Sequence, residues 1–179
     1  MFYVVTGGSG SGKSAYAENL VLSLGEGRRI YIATMMSFDD ESTKRIARHR
    51  KMREGKQFET VECYTGLDSI RLKKDDIVLL ECMSNLAANE MYAQGGAGEK
   101  TEEAVMAGIR RLLQDVRHLV VVTNEIFSDG MAYDESTVEY MGHLGNINQQ
   151  MARLADGVTE VVYGIPVCMK GGKKNEASA

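Results

Sequence analysis

The sequence predicts an α/β protein with a mostly parallel sheet and an antiparallel strand at the C-terminal edge. Three observations lead to this fold class. Apolar runs of strand length alternate with amphipathic segments of helix length along the chain. A glycine-rich loop separates the first of these runs from the first helical segment, and a later apolar run ends in an acidic residue. No internal repeat or linker divides the 179 residues, so we expect one domain over residues 1–170.

In the first half of the chain, β-branched and apolar runs predict strands, and apolar residues spaced three and four apart predict helices. Gly25 ends the first helix, and Asp39 or Asp40 caps the second. The predicted strands span residues 2–6, 30–34, 58–64 and 77–81, and the predicted helices span 15–24 and 39–52.

The second half continues the alternation of helices and strands. Val105, Ile109 and Leu112 give a core-facing side to the helix that begins at Thr101. The other predicted elements are helices at 83–94 and 136–155 and strands at 119–123, 158–163 and 166–169. The last strand contains Pro166 and is therefore expected at the sheet edge, antiparallel to the strand before it. Residues 171–179 are predicted to form a disordered tail.

The composition is that of an ordinary globular protein, with 44% hydrophobic and 26% charged residues. No apolar run reaches membrane-spanning length, and the first strand starts without a preceding signal peptide, so we expect a cytoplasmic protein. The 3 cysteines are widely spaced and fit reduced thiols in the core. A net charge of −4 argues against general binding of nucleic acids and leaves anion binding to local clusters.

The stretch Gly7-Gly8-Ser9-Gly10-Ser11-Gly12-Lys13-Ser14 fits the phosphate-binding pattern G-x-x-x-x-G-K-[ST]. Glycines let backbone N–H groups approach phosphate oxygens, and the following helix adds the positive end of its dipole. Lys13 is then expected to contact the β- and γ-phosphates, and the Ser14 hydroxyl to bind Mg²⁺. A Gly/Ser turn without a ligand is the alternative, but the flanking strand and helix favour a nucleoside-triphosphate site.

The run Ile77-Val78-Leu79-Leu80-Glu81 predicts a buried parallel strand that ends in a carboxylate. After a phosphate-binding loop this is the expected Walker B arrangement, in which the acid lies beside the phosphates and Mg²⁺. Ser14 and Glu81 are therefore the predicted metal ligands. The polar pair Asn124-Glu125 follows another strand and points to the same ligand-binding edge of the sheet.

The helix after the second strand is unusually basic around His49. Arg45, His49 and Arg53 are spaced four residues apart and share one helix face. One interpretation is a solvated basic face with an incidental histidine. The other is a phosphate-facing helix, in which neutral His49 attacks phosphorus and the neighbouring cations offset the phosphoryl charge. The residues by themselves leave both interpretations open. The other cations of this segment are Lys44, Arg48, Arg50, Lys51 and Lys56.

Several segments of the chain recur in the same order in one known family. They are the phosphate-binding loop, Tyr31-Ile32-Ala33-Thr34, Asp39-Asp40-Glu41, Arg45-Ile46-x-x-His49, Leu79-Leu80-Glu81-Cys82, Val122-Thr123-Asn124-Glu125, Asn148-Gln149, Ala155-Asp156 and Gly164-Ile165-Pro166-Val167. Together they resemble the bifunctional adenosylcobinamide kinase/adenosylcobinamide-phosphate guanylyltransferase family of cobalamin biosynthesis. The resemblance runs from Met1 to about Lys170, and the basic histidine segment is its most specific part.

The resemblance implies a RecA-like P-loop fold, a homotrimer and two successive transfers. The family phosphorylates adenosylcobinamide from a nucleoside triphosphate, ATP or GTP. It then moves GMP from GTP through a histidine to the new phosphate and releases pyrophosphate. The resemblance places the guanylylated histidine at His49. The predicted catalytic residues are therefore His49 and Lys13 of the phosphate loop. It places the GTP contacts at Gly7 to Ser14, Thr34, Met35, Met36, Arg50, Lys51, Met52, Arg53, Glu62 and Glu81.

The second half of the chain departs from the family pattern. Many members carry G-I-V-P after V-T-N-E, and then an R-x-F-R-D run. This chain has Gly130-Met131-Ala132-Tyr133 and Val138-Glu139-Tyr140-Met141-Gly142 in those places. The missing arginines bear on how the acceptor is held, whereas the nucleotide half is intact. A P-loop small-molecule kinase without guanylyltransferase activity and a non-enzymatic nucleotide-binding switch are the rival hypotheses.

Overall fold

The computed structural model describes residues 1–37, 39–128 and 130–171, and its strands form a single seven-stranded sheet. The strand order is β3-β2-β4-β5-β1-β6-β7, with parallel neighbours from β3 to β6 and an antiparallel pair β6–β7. The strands are β1 (Phe2–Thr6), β2 (Arg29–Ala33), β3 (Phe58–Glu62), β4 (Ile77–Glu81), β5 (His118–Val122), β6 (Gly157–Val162) and β7 (Ile165–Lys170). The helices are α1 (Lys13–Ser23), α2 (Asp40–Arg53), α3 (Met83–Tyr92), α4 (Thr101–Asp115) and α5 (Glu135–Leu154). The predicted fold class is therefore confirmed.

Alternation along the central strands divides the core into two apolar clusters, one on each face of the sheet. In β4, Val78 and Leu80 belong to the larger cluster, whereas Ile77 and Leu79 belong to the smaller one. Buried residues of α3, α4 and α5 pack in the larger cluster, and Ala17 and Val21 of α1 pack in the smaller one. Strands that are apolar on both faces are typical of a parallel sheet covered by helices on each side.

The beginning of α1 differs from the sequence prediction in a way that matters for the phosphate loop. The helix starts at Lys13, two residues before the predicted start at Ala15, because Gly12 ends the loop with a φ of 92°. This left-handed conformation costs glycine little and other residues more. Lys13 and Ser14 therefore occupy the first helical turn, where free backbone N–H groups and the helix dipole favour an anion.

The β6–β7 hairpin packs against the phosphate loop. The Gly164 N–H donates a hydrogen bond to the Ser11 carbonyl over 2.8 Å. A Cβ atom on Gly7 would lie 2.5 Å from the Val161 carbonyl oxygen, and Gly7 has a φ of 151°. Both facts require glycine at position 7. The predicted antiparallel edge strand thus has a structural role, since its turn supports the loop from behind.

A few expectations need correction or lie outside the described residues. Cys168 is exposed on the edge strand β7 and is not a core residue, although all three cysteines are free thiols. Val138 and Leu154, which are apolar residues near the two ends of α5, are exposed. Residues 172–179 of the predicted disordered tail lie outside the described residues. The division into one domain over 1–170 and a tail over 171–179 remains a prediction.

Within the described ranges, no helix has the combination of length and apolar character needed to cross a membrane.

Two helical glycines, Gly108 and Gly142, give a matched test of how closely α4 packs against Leu67. A Cβ on Gly108 of α4 would lie 2.6 Å from the Cβ of the buried Leu67, whereas a Cβ on Gly142 of α5 would meet nothing within 4 Å. We expect Gly108→Ala to destabilise the protein by about 1–3 kcal/mol through overpacking. Gly142→Ala should stabilise it by about 0.5–1 kcal/mol through helix propensity. Urea unfolding measures both, and equal effects of the two substitutions would contradict the α4 packing.

Candidate functional site

The phosphate loop is arranged around Lys13, whose side chain is buried. Its Nζ donates a hydrogen bond to the Gly8 carbonyl over 2.9 Å and so folds back across the loop. Burial lowers the pKa of the Lys13 ammonium, while the nearby Cys82 and Glu81 act in the opposite direction. A cation held this way is partly desolvated and interacts strongly with an anion that enters the loop.

Glu81 connects the phosphate loop to β2. Its carboxylate is buried, and it accepts hydrogen bonds from the Ser14 hydroxyl at Oε1 and from the Tyr31 hydroxyl at Oε2, the latter over 3.0 Å. Burial, together with the charge of Glu81, raises the pKa of the Tyr31 phenol. Tyr31 therefore stays a hydrogen-bond donor to Glu81 throughout the physiological range. The strand-end acid lies beside the loop, as the Walker B pattern predicts.

His49 of α2 approaches the same carboxylate from the other side. Its Nδ1 lies 3.4 Å from Glu81 Oε1, and its side chain is 18% exposed. Nδ1 is buried and has no hydrogen-bond partner among the described residues. Nδ1 is thus placed beside the Glu81 carboxylate without a hydrogen bond to it. His49 therefore does not lie on a fully solvated face, whereas its role towards a phosphate stays a prediction.

Arg53 is the buried cation of α2. Its guanidinium lies 3.4 Å from the centre of the Tyr31 ring, which is a cation–π contact, and its Nη1 has no hydrogen-bond partner among the described residues. Arg50, one turn earlier on an exposed part of the helix, lies 3.5 Å from Glu62 of β3. Arg45 is exposed and pairs with Glu41 over 2.6 Å. The helix is continuous from Asp40 to Arg53, as the shared face of Arg45, His49 and Arg53 requires.

A large, open cavity of about 1180 Å³ lies between the phosphate loop, α2 and the C-terminal ends of β2, β3, β4 and β5. This volume exceeds that of an ordinary small-molecule pocket, so a nucleotide leaves room for a second reactant. Gly7 and Gly8 lie behind its lining, and Met36 instead lines an adjacent cavity of about 370 Å³. The predicted site residues that line the large cavity are Ser9, Gly10, Ser11, Gly12, Lys13, Ser14, Thr34, Met35, His49, Arg50, Lys51, Met52, Arg53, Glu62 and Glu81.

Thr34 lines the cavity, but its side chain already has two partners. Its hydroxyl donates to the Cys82 carbonyl over 2.9 Å and accepts from the Cys82 N–H over 2.7 Å. Its carbonyl accepts a hydrogen bond from the Asn89 amide over 2.8 Å. These bonds hold the end of β2 against the end of β4. A nucleotide contact by Thr34 stays a prediction.

Asn124, Tyr31 and Cys82 also line the cavity. Asn124, after β5, donates hydrogen bonds to Ser84 Oγ over 2.6 Å and to Cys82 Sγ over 3.6 Å. The strand-end position of Asn124 indicated this placement in the sequence. Nothing in the sequence distinguishes Tyr31 and Cys82 from ordinary core residues. Their place in the site became visible only in the structure, where Tyr31 contacts Glu81 and Cys82 contacts Ser84.

Among the residues that the structure describes, no group of three or more His, Cys, Asp or Glu side chains is arranged to hold a metal ion. The adjacent oxygens of Ser14 and Glu81 offer two hard ligands instead. This donor set fits Mg²⁺, which in phosphoryl-transfer sites takes one or two protein oxygens and completes its coordination with phosphate and water.

A phosphate loop with a buried lysine, a strand-end carboxylate and an adjoining large cavity are typical of a P-loop nucleotide-binding enzyme. The fold agrees with that class. An ATPase from the type III secretion system of pathogenic bacteria superimposes with a TM-score of 0.56 at 9% identity, over 93% of this chain and 56% of that one. This likeness shows the fold alone and identifies it as RecA-like.

The family follows from the sequence matches. Residues 3–169 match the family described as cobinamide kinase / cobinamide phosphate guanyltransferase. The bifunctional adenosylcobalamin biosynthesis proteins CobU of Salmonella typhimurium and Escherichia coli are each 33% identical over 185 residues, covering 95% of this chain and 100% of theirs. CobP of Pseudomonas aeruginosa is 28% identical over 94% of this chain and 96% of its own. The chain belongs to this family and is a bifunctional kinase and guanylyltransferase of cobalamin biosynthesis, which confirms the predicted family and activity.

The buried position of Lys13 predicts a large effect of its removal. Lys13→Ala and Lys13→Met should each lower phosphoryl transfer by at least ~100-fold and weaken triphosphate binding, because both remove the charge that stabilises the transferring oxygens. Steady-state kinase assays and nucleotide titration measure these effects. Lys74→Ala, in an exposed turn, is the control and should behave as wild type. Near-normal turnover in either Lys13 variant would refute the loop assignment.

Glu81→Gln tests the strand-end carboxylate without changing its size. We expect nucleotide turnover to fall by about 100-fold, because the negative charge beside Ser14 is lost, while circular dichroism stays that of a folded protein. Turnover is measured over a range of Mg²⁺ concentrations. Glu103→Gln, on the exposed side of α4, is the control. Normal GTP use by Glu81→Gln at low Mg²⁺ would show that Glu81 has no Walker B role.

Proposed function

We propose that this chain performs both transfers in the cavity described above, with His49 as the carrier of GMP. One observation carries the proposal: His49 Nδ1 lies 3.4 Å from the same Glu81 oxygen that accepts a hydrogen bond from Ser14 of the phosphate loop. A nucleophile and a triphosphate-binding loop thus share one carboxylate. Adenosylcobinamide is the first acceptor, and adenosylcobinamide phosphate is the second.

In the kinase step, the triphosphate of ATP or GTP lies in the loop Gly7 to Ser14. The backbone N–H groups of the loop and the Lys13 ammonium neutralise its oxygens. The acceptor hydroxyl oxygen attacks the γ-phosphorus and loses its proton to solvent, the bond from the γ-phosphorus to the β–γ bridging oxygen breaks, and the nucleoside diphosphate leaves. Ser14 and Glu81 would hold Mg²⁺, which would supply positive charge against the charge that develops on the transferring phosphate. The partly desolvated Lys13 contributes more in this setting than it would in water.

In the guanylyl step, a ring nitrogen of His49 attacks the α-phosphorus of GTP. A P–N bond forms, the bond from the α-phosphorus to the bridging oxygen breaks, and pyrophosphate leaves. A phosphate oxygen of adenosylcobinamide phosphate then attacks the same phosphorus and releases the imidazole, giving adenosyl-GDP-cobinamide. The covalent intermediate divides one difficult transfer into two easier ones.

The nucleotide contacts of the guanylyl step are proposed at Thr34, Met35 and Met36, at Arg50 to Arg53, and at Glu62 and Glu81. The unpartnered Nη1 of Arg53 supports this set, since a buried guanidinium N–H without a protein partner is available to a nucleotide oxygen or nitrogen. Arg50 and Glu62, which face each other across the exposed rim, are available to a base or ribose once their weak ion pair opens.

We further propose that the protein acts in the cytoplasm as a homotrimer, without a nucleic-acid partner. The departures from the family pattern at Gly130 to Tyr133 and at Val138 to Gly142 lie outside the lining of the large cavity and leave its nucleotide-facing residues unchanged.

The decisive substitution is His49→Asn. Incubation of the wild type with GTP labelled in the α-phosphate should leave GMP on the protein in an acid-labile, alkali-stable linkage, as expected of a phosphoramidate. His49→Asn should lose this label and guanylyl transfer while it keeps much of the kinase activity, which depends on Lys13 and Ser14. Denaturing gels and intact mass follow the label, and phosphorylation of adenosylcobinamide follows the kinase.

The matched control is His118→Asn, because His118 starts β5 at the opposite end of the strands from the cavity. This variant should be labelled as wild type is. A label that persists in His49→Asn, or that maps to His118 or His143, would refute the assignment. A labelled GMP in the wild type also distinguishes the bifunctional enzyme from a P-loop kinase without guanylyltransferase activity.

A further inference from the structure

The helix that carries His49 has little apolar attachment to the rest of the protein. Of the residues in α2, Arg53 is the buried one. Ile46 and Met52 are half-buried and belong to neither apolar cluster of the described chain. Apolar burial holds most helices in place, but it contributes little here. The position of α2, and with it that of His49, depends on polar side-chain contacts.

One of these contacts involves a fully buried carboxylate and lies just beyond the C-terminal end of α2. Lys56 Nζ lies 2.5 Å from Glu18 Oε2 of α1. The Glu18 side chain is 0% exposed, and its other oxygen, Oε1, has no hydrogen-bond partner among the described residues. Lys56, which is 27% exposed, therefore supplies the compensating charge for a fully buried carboxylate. A desolvated, charge-assisted bond of this kind is among the strong side-chain contacts.

This pair connects the end of α2, the helix that carries His49, to α1, the helix that begins at the phosphate loop. Glu18 follows Ser14 by four residues, so it lies about one helical turn, or about 6 Å, further along the helix that begins with Lys13 and Ser14. On the α2 side, Arg53 precedes Lys56 and stacks on Tyr31, whose hydroxyl binds Glu81. His49 lies one turn before Arg53. A displacement of the end of α2 therefore moves His49 relative to the phosphate loop.

We propose that Glu18, acting through Lys56, is a positioning residue for guanylyl transfer. The pair fixes the end of α2 to the helix that binds the triphosphate, so that His49 is held against the phosphorus that it attacks. Glu18 touches no reacting atom. The kinase step uses Lys13 and Ser14 of α1 itself and does not require α2 in this position. This inference rests on the proposed function, because its readout is the GMP carried by His49.

The test compares two rates in the same preparation of Glu18→Gln. Single-turnover labelling of the protein with α-labelled GTP reports guanylylation, and transfer from γ-labelled ATP to adenosylcobinamide reports the kinase. We expect labelling to slow by about 10- to 100-fold, because small misplacements of a nucleophile have effects of this size. The kinase rate should stay within about twofold of wild type. Glu59→Gln, which breaks an ion pair with Arg28 of 2.8 Å elsewhere in the sheet, is the control and should change neither rate.

A double-mutant cycle with Lys56→Gln isolates the pair. If the two residues act as a unit, Glu18→Gln/Lys56→Gln labels no more slowly than the slower single variant, whereas additive losses would overturn the proposal. Should the single Gln variants fail to fold, Lys56→Arg, which keeps the charge, is compared with the double variant. Labelling is expected near the wild-type rate in Lys56→Arg and slowed in the double variant, and equal rates overturn the proposal.

Three further outcomes separate this inference from the proposed function. Equal losses of labelling and kinase activity in Glu18→Gln would assign Glu18 to the stability of α1 and overturn its positioning role. Unchanged labelling in Glu18→Gln, with a labelled wild type, overturns this inference and leaves the proposed function standing. A wild type that takes no label refutes the proposed function, and this inference with it.

Discussion

The Glu81 carboxylate joins three parts of the chain that are far apart in sequence. It accepts hydrogen bonds from Ser14 of the phosphate loop and from Tyr31 of β2, and it lies 3.4 Å from His49 Nδ1 of α2. A buried carboxylate is costly unless donors surround it, so each of these contacts is needed as much for burial as for chemistry. The arrangement forces the loop, the strand and the basic helix to meet at one point. The rest of the cavity is built around that point.

The sheet makes this meeting possible. Parallel strands bring their C-terminal ends to one edge, and Ala33, Glu81 and Val122 are register partners in neighbouring strands. One strand, β5, lies between the strand of the phosphate loop and the strand of Glu81. The loop turns back over this strand, and the β6–β7 hairpin supports it from the far side through the Gly164–Ser11 bond. The antiparallel edge strand is therefore part of the support of the site.

The basic helix α2 is held in place mainly by polar contacts. The helix is rich in cations, and apolar residues that anchored it would take surface positions from these cations. α2 contains mostly exposed polar residues, and its buried cation, Arg53, packs on the Tyr31 ring. Cation–π and buried ion-pair contacts hold such a helix without covering the side that faces the cavity. Catalysis by positioning depends on the accuracy of these contacts, because a covalent transfer through histidine tolerates little displacement.

The sequence by itself determined the fold class, nearly all element positions and the identity of the phosphate loop, because local periodicity and a fixed motif carry that information. It also identified Glu81 as a strand-end acid and His49 as the candidate nucleophile. The tertiary structure decided which of these residues meet. Tyr31 and Glu18 resemble ordinary strand and helix residues in the sequence, and their roles arise from partners 50 and 38 positions away. The sequence did not determine the environment of His49 either, because a basic helix has the same sequence pattern whether it faces solvent or a phosphate site. Contacts between residues so distant in sequence depend on packing the whole sheet, which no local pattern encodes.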